Sequence, residues 1–414
     1  MKKTLVAMAA LAVVGAASAQ SSVTLYGKLD ATVQSATQKT AGVKTVAGNS
    51  GLGVDAAGLS GSRWGLKGTE DLGGGLKAVF QLESGFSQDS GNLGQGATGA
   101  LQGLLFGRQA FVGVSGGFGT VSFGRQYSPN DNTMGVYDAQ GYATNSAMGY
   151  AWNAGSANVP VTITSSAVTA ANAPSAFNGF HADIGRINNS IYYVTPAMGG
   201  FKVEAMYAPG ENKTPTGLTA KSAGSYLGGS AGYSNGPLGV TLAYESLRTK
   251  SGAIAASNRL NAVTGLVVPI VAAAAGESKS NDWILAAQYD FGAAKVYGGY
   301  HRSNVTGTNA TVATLNAATL PGTTIANGTD TGWMLGTAIP FGAMTLQLGY
   351  ARETTDAAAG ALPDGSVRAF AGQLVYNLSK RTNLYTDVLF GRSTTAANVT
   401  TKNTIFGVGM RHDF

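Results

Sequence analysis

Residues 344 to 351 read Met344-Thr345-Leu346-Gln347-Leu348-Gly349-Tyr350-Ala351. The even-numbered side chains are large and apolar, and the odd-numbered ones are small or polar. Successive side chains of an extended strand point to opposite faces, so this period of two describes a strand with one apolar and one polar face. The same grammar recurs upstream. In 240 to 245, Val240, Leu242 and Tyr244 oppose Thr241, Ala243 and Glu245, and in 283 to 291 the apolar set is Trp283, Leu285, Ala287, Tyr289 and Phe291. An apolar face on nearly every strand, with no segregated second layer to cover it, fits strands that meet lipid on one side and water on the other.

Working outward gives sixteen strand cores. They lie near 23 to 34, 62 to 70, 76 to 87, 106 to 115, 120 to 127, 186 to 195, 201 to 208, 226 to 234, 238 to 248, 281 to 290, 294 to 302, 331 to 340, 343 to 351, 367 to 377, 382 to 392 and 404 to 414. Tight turns such as Asp71-Leu72-Gly73-Gly74-Gly75 and Asn235-Gly236-Pro237 alternate with long polar gaps, the longest of them 128 to 185. Short turns on one side and long loops on the other are the pattern of outer-membrane barrels, and an even strand count brings both chain ends to the same side. About sixteen strands leave an aqueous channel, whereas about eight are filled by their own side chains. The expected fold is therefore all-β: a transmembrane, 16-stranded antiparallel barrel forming a single domain over 20 to 414. Phe201, Phe291, Phe341 and Phe414 near the tight turns, and Trp283, Trp333, Tyr244 and Tyr350 toward the long loops, are placed to form two interfacial girdles.

Before the first strand, Lys2 and Lys3 precede an apolar run from Leu5 to Ala17 and the small-x-small triplet Ala17-Ser18-Ala19. This reads as a secretory signal peptide over 1 to 19, cleaved before Gln20, and its loss lowers the formal net charge of +6 by two lysines. No later window is apolar enough for a spanning helix. Cysteine is absent, which excludes disulfides and thiolate metal sites. The three histidines, His181, His301 and His412, have no recognisable nucleophile spacing, so neither an enzyme nor a cofactor is expected. The mild charge and the lack of basic runs give no reason to expect a nucleic-acid partner.

Several segments resemble the general porins of Gram-negative bacteria, specifically their betaproteobacterial branch. They are Ser22-Val23-Thr24-Leu25-Tyr26-Gly27, the run Ser62-Arg63-Trp64-Gly65-Leu66-Lys67-Gly68-Thr69-Glu70-Asp71-Leu72-Gly73-Gly74-Gly75, Phe106-Gly107-Arg108-Gln109-Ala110-Phe111-Val112-Gly113, Phe123-Gly124-Arg125-Gln126-Tyr127 and the terminal Phe414. The resemblance implies an outer-membrane location, passive diffusion of small solutes and ions, homotrimers among lipid and lipopolysaccharide, and recognition of Phe414 by the barrel-assembly machinery. It also implies that the third external loop, 128 to 185, folds into the lumen as a constriction.

Strand parity then sorts the charges. Val23, Leu25, Gly27 and Leu29 facing out put Lys28 inside, and Trp64 and Leu66 facing out do the same for Arg63. Phe111 read as outward puts Arg108 inside; Ile187, Ile191 and Tyr193 read as outward put Arg186 there. With Arg125, these residues fall where the resembled family carries its basic wall, although any single one also reads as a cation snorkelling toward loop level. Asp131 and Asp138 are the candidate acids of the facing loop, and they read equally well as turn formers. Residues 143 to 182 contain no Asp or Glu. A basic wall without an acidic counterpart predicts a preference for small anions. Tyr26, Tyr192 and Tyr297 are inward aromatics, too dispersed for a substrate track.

Overall fold

The computed structural model describes residues 22–41, 43–46, 58–88, 91–93, 104–143, 145–152, 185–209, 225–251, 257–260, 267–270, 276–308, 328–357, 365–395 and 399–414. The signal sequence and the part of the third loop beyond Trp152 lie outside these residues.

Sixteen strands form a closed antiparallel barrel in which each pairs with its neighbours in sequence. They are β1 (Ser22–Thr40), β2 (Arg63–Gly73), β3 (Leu76–Gly85), β4 (Gln109–Gly116), β5 (Gly119–Tyr127), β6 (Arg186–Val194), β7 (Phe201–Ala208), β8 (Ser225–Asn235), β9 (Leu238–Ser251), β10 (Gly276–Asp290), β11 (Lys295–Thr308), β12 (Gly328–Phe341), β13 (Met344–Ala357), β14 (Gly365–Asn377), β15 (Thr382–Thr395) and β16 (Thr400–Asp413). Closure is made by β1, whose Ser22–Lys28 half pairs with β2 and whose Lys28–Thr40 half pairs with β16. Phe414 completes the seam by exchanging backbone hydrogen bonds with Gly27 (3.0 and 3.1 Å). Tight turns carry glycines with positive φ, such as Gly73, Gly74 and Gly75 at 82°, 62° and 81°, where a side chain would strain the backbone.

Every sequence-predicted strand is present, and the differences concentrate at the loop-side ends. β11 runs to Thr308 instead of 302, β13 to Ala357 instead of 351, and β10 begins at Gly276 instead of 281. Above the lipid both faces are wet, so the apolar alternation stops while backbone pairing continues. The apolar side chains behave as lipid-facing groups: Val23, Leu25, Leu242, Trp283, Leu285, Leu335, Phe390 and Phe406 are all exposed. Ring pairs mark the two girdles, Tyr244–Trp283 (4.3 Å) and Trp333–Tyr350 (5.3 Å) on the loop side, Phe201–Tyr233 (4.7 Å) and Tyr289–Phe291 (4.6 Å) on the turn side. From Trp333 to Phe341 is eight residues, about 26 Å along the strand at about 3.3 Å each. Tilted by about 40°, that spans about 20 Å of bilayer, close to the apolar band of such barrels.

The barrel is lopsided. β2 to β8 contain 8 to 11 residues, whereas β9 to β16 contain 13 to 15. From the low rim after β5 the chain turns inward as α1 (Pro129–Tyr137) and α2 (Ala147–Trp152). Ser128 caps α1 by accepting from the Asp131 N–H (3.1 Å), and Pro129 occupies the first turn, where a missing N–H costs nothing.

These helices lie against the inner wall, α1 on β9 and β10 and α2 on β13 and β14. The buried apolar residues accordingly sit between loop and wall: Met134, Tyr137, Met148 and Trp152 against Ala243, Ile284, Met334, Ala351 and Leu389. Inward glycines open the seat. A Cβ at Gly332 would lie 2.6 Å from Trp152 Nε1, and one at Gly349 would lie 2.9 Å from Gln140 Oε1. Truncating a buried Trp such as Trp152 costs about 3–5 kcal/mol. The loop is therefore held by packing as well as by polar bonds: Tyr137 to Thr241 (2.8 Å), Asn145 to Asp387 (2.7 Å) and Tyr150 to Asn403.

Candidate functional site

Opposite the wall that seats α1 and α2 stand β1 and the short strands β2 to β5, where cations gather. Lys28 faces inward on the same parity as the buried Asp30 and Thr32, with Asp413 3.8 Å away; Arg411 shares that carboxylate at 3.7 Å. Arg63 lies across the ladder from Lys28, and its guanidinium donates to Ser60 Oγ. Arg108 is buried; its Nε donates to Glu83 Oε1 at 2.7 Å and its Nη2 to the Tyr127 hydroxyl. Arg186 donates to the same hydroxyl at 2.9 Å, with its guanidinium 4.6 Å from the Tyr127 ring centroid. Tyr127 thus holds two guanidinium groups by its oxygen and its π face together. Glu83, in turn, accepts from Tyr26 Oη (2.9 Å).

Two of the parity assumptions do not hold, and both fail for local reasons. Phe111 pairs with the inward Gln81, so it faces in, while Val112 and Val114 face out. Arg108 reaches the interior because it precedes β4, in a bend outside strand alternation. Ile187 is buried in the interior and does not face lipid. Asn189, at φ 54°, sits beside a register shift between β5 and β6 that inserts an extra residue and flips parity below it. Arg125 lies at that same irregularity. It pairs with Ala110, on the register of the outward Val112 and Phe123, and its Nη1 donates to Asn188 Oδ1 (2.5 Å) at the rim. Lys28, Arg63, Arg108 and Arg186 are thus one neighbourhood, with Arg125 at its edge.

The loop acids have structural work. Asp138 is buried, and its carboxylate accepts from the backbone N–H groups of Gln140 (3.2 Å) and Tyr142 (3.0 Å). Burial pushes that carboxyl above its usual range, and hydrogen bonds from Ser146 and these amides pull the other way. Asp131 lies in the first turn of α1, where a carboxylate complements the helix dipole.

Sequence reasoning passed over Glu83, Tyr127 and Asp30. Glu83 was readable, since Leu76, Ala78, Phe80 and Leu82 alternate outward and leave Gln81 and Glu83 inside. Asp30 matters through the end of the first external loop. Its carboxylate accepts from the Leu59 N–H (3.1 Å), the Ser60 N–H (2.6 Å) and the Tyr385 hydroxyl. Gly58 N–H donates to Tyr385 Oη (3.2 Å), and Gln373 Nε2 donates to Gly58 O (3.1 Å). Residues 58 to 60 are therefore strapped to the inner wall, and Ser60 carries Arg63. The third loop lands two residues away through Asn145 and Asp387, so β15 anchors both inward segments.

A closed sixteen-strand barrel with lipid-facing strands, two aromatic girdles and an inward third loop narrows the comparison to channels of the outer membrane. The family model described as Gram-negative porin matches residues 4–396. The chain belongs to the Gram-negative porin family. Relatives agree over its length: outer membrane porin protein 32 of Delftia acidovorans is 33% identical, with 96% of this chain and 92% of that one covered. An outer membrane porin protein of Bordetella pertussis is 32% identical over the whole of both chains. Among solved structures, the anion-selective porin from Comamonas acidovorans superposes with a TM-score of 0.64 at 30% identity, covering 95% of this chain and 100% of that one. This porin is accordingly a channel of the Gram-negative outer membrane, whose lumen lets small hydrophilic solutes and ions diffuse passively.

Proposed function

We propose that this porin prefers anions, and that Lys28, Arg63, Arg108 and Arg186 form the basic wall of its narrowest region, with Arg125 outside it at the rim. The observation that carries this reading is the clustering of positive charge at the site. Lys28, Arg63, Arg108 and Arg186, with Arg125 and Arg411 beside them, share one stretch of wall, where Asp413 contacts Lys28 and Arg411 and Glu83 contacts Arg108. The third loop forms the facing wall, and its Asp138 carboxylate serves the loop's own backbone. Rings of Arg or Lys favour anions in pores. A relative described as anion-selective, at 30% identity, supports the same sign.

In this reading residues 1 to 19 are removed on export, and the mature chain assembles as a homotrimer among outer-membrane lipid and lipopolysaccharide. The barrel-assembly machinery reads Phe414, which supplies the last backbone pair of the seam. Reconstitution in a planar bilayer under a tenfold KCl gradient tests the selectivity. Discrete conductance steps with a chloride-side zero-current potential are expected, and a potassium-side potential would reject the basic wall.

A further inference from the structure

Five strands carry, on their lipid-facing side, a single row of cations. Arg352 of β13 pairs with Arg368 of β14, Arg368 with Arg392 of β15, Arg392 with Lys402 of β16, and Lys402 with Lys39 of β1. Directly opposed residues of adjacent strands share a face, and their outward partners confirm which one. Tyr350, Phe370 and Phe390, themselves opposed in the next row, lie one pleat step nearer the membrane than Arg352, Arg368 and Arg392. The cations therefore stand about 7 Å above the loop-side aromatic girdle, at the level of lipid headgroups. The row spans four strand gaps, about 19 Å. Arg352, Arg368, Lys402 and Lys39 are exposed and Arg392 is half-buried.

Like charges directly opposed across a ladder destabilise it. Here the opposition is repeated four times over. Among the described residues, the outward acid on these strands is Asp356, four residues beyond Arg352 toward the loops. Ser366 and Thr394 join the three arginines around a shallow depression, adding hydroxyl donors to guanidinium forks. Such forks match phosphate oxygens bidentately, and anionic lipid headgroups draw basic clusters at this depth.

We infer that the row Arg352–Arg368–Arg392–Lys402–Lys39 binds the phosphorylated headgroup of an outer-leaflet glycolipid. The site deepens the proposed lipopolysaccharide partnership by giving it residues, and it is separate from the lumen and its selectivity. A headgroup with more than one phosphate neutralises adjacent arginines at once, and its acyl chains then run down past Tyr350, Phe370 and Phe390.

The test uses the full folded porin in detergent, titrated by native mass spectrometry with bis-phosphorylated lipid A, with its dephosphorylated form and with inorganic phosphate. Wild type is expected to favour the phosphorylated lipid over the dephosphorylated one. Arg368→Gln/Arg392→Gln should weaken that binding by about tenfold or more, and Arg368→Lys/Arg392→Lys should retain most of it. Unchanged heat-modifiability and conductance report an intact barrel; should the double Gln variant not fold, Arg392→Gln alone carries the test. Equal binding by the Gln variant would overturn this site and leave the partnership standing elsewhere on the barrel. No preference by wild type for the phosphorylated lipid would overturn both. Full competition by inorganic phosphate at matched phosphate concentration would assign the row to a free anion and overturn the lipid site.

Discussion

Replacing Arg63 by Gln removes one charge from the basic wall while leaving a polar side chain that can still donate to Ser60. Arg63 lies in the electrostatic field of Arg108, Glu83, Tyr127 and Arg186, so its loss acts at the centre of the cluster. A unit charge about 8 Å from a passing ion, at an effective dielectric near 20, changes that ion's free energy by about 2 kcal/mol. A Debye length of about 8 Å at physiological ionic strength reduces this to about 0.8 kcal/mol. That is about a fourfold change in local concentration, and because it acts with opposite sign on chloride and potassium, the permeability ratio should fall by about fifteenfold. The assay is the zero-current potential of wild type and variant in the same KCl gradient, with heat-modifiability as the check on folding. At about 0.1 M KCl, a ratio that moves by less than about twofold would refute the claim that this cluster sets selectivity.

Glu83→Gln should move selectivity the other way, toward chloride, and should also destabilise the barrel by about 3 kcal/mol in denaturant unfolding, because Arg108 is left buried without its carboxylate. Asp30→Asn and Tyr385→Phe should loosen residues 58 to 60 from the wall; liposome swelling with a graded series of sugars should then show a larger size cut-off, and an unchanged cut-off would mean the strap does not narrow the lumen. Gly332→Leu should push Trp152 and the third loop off their seat and lower single-channel conductance, whereas a leucine on an outward position such as Gly298 should not. Asp138→Asn should leave the chloride-to-potassium ratio within about twofold of wild type, since its carboxylate serves the loop's own amides; a large shift would place it in the ion path.

Where one face meets lipid and the other water, the chain must alternate, and the strands could be read from residues such as Met344 to Ala351. The loop-side ends of β10, β11 and β13 could not, because both faces there are wet and only backbone pairing marks them as strand. Lys28 and Arg63 lie on regular strands, so simple parity placed them inside. Arg108 and Arg186 required more: one precedes its strand, and the other, beside Ile187 that an irregularity at Asn189 turns inward, is off the lumen parity and joins the cluster from the end of its strand through the Tyr127 hydroxyl. Glu83 was open to the same parity argument as its neighbours. The strap at Asp30 was not, since it depends on contacts between residues more than three hundred positions apart, such as Gly58 with Tyr385. The lipid-facing cation row was hidden for the same reason, as its members are scattered until pairing sets them side by side.

The central claim is that fixed positive charge, and not pore size, chooses the ion. It is tested most directly by the zero-current potential of the wild-type porin at the same tenfold KCl gradient, once near 0.1 M and once near 1 M, where the Debye length falls from about 10 Å to about 3 Å. The account predicts a chloride preference at low salt that shrinks severalfold toward equality at high salt. A preference unchanged by salt, or one for potassium at either concentration, would contradict it.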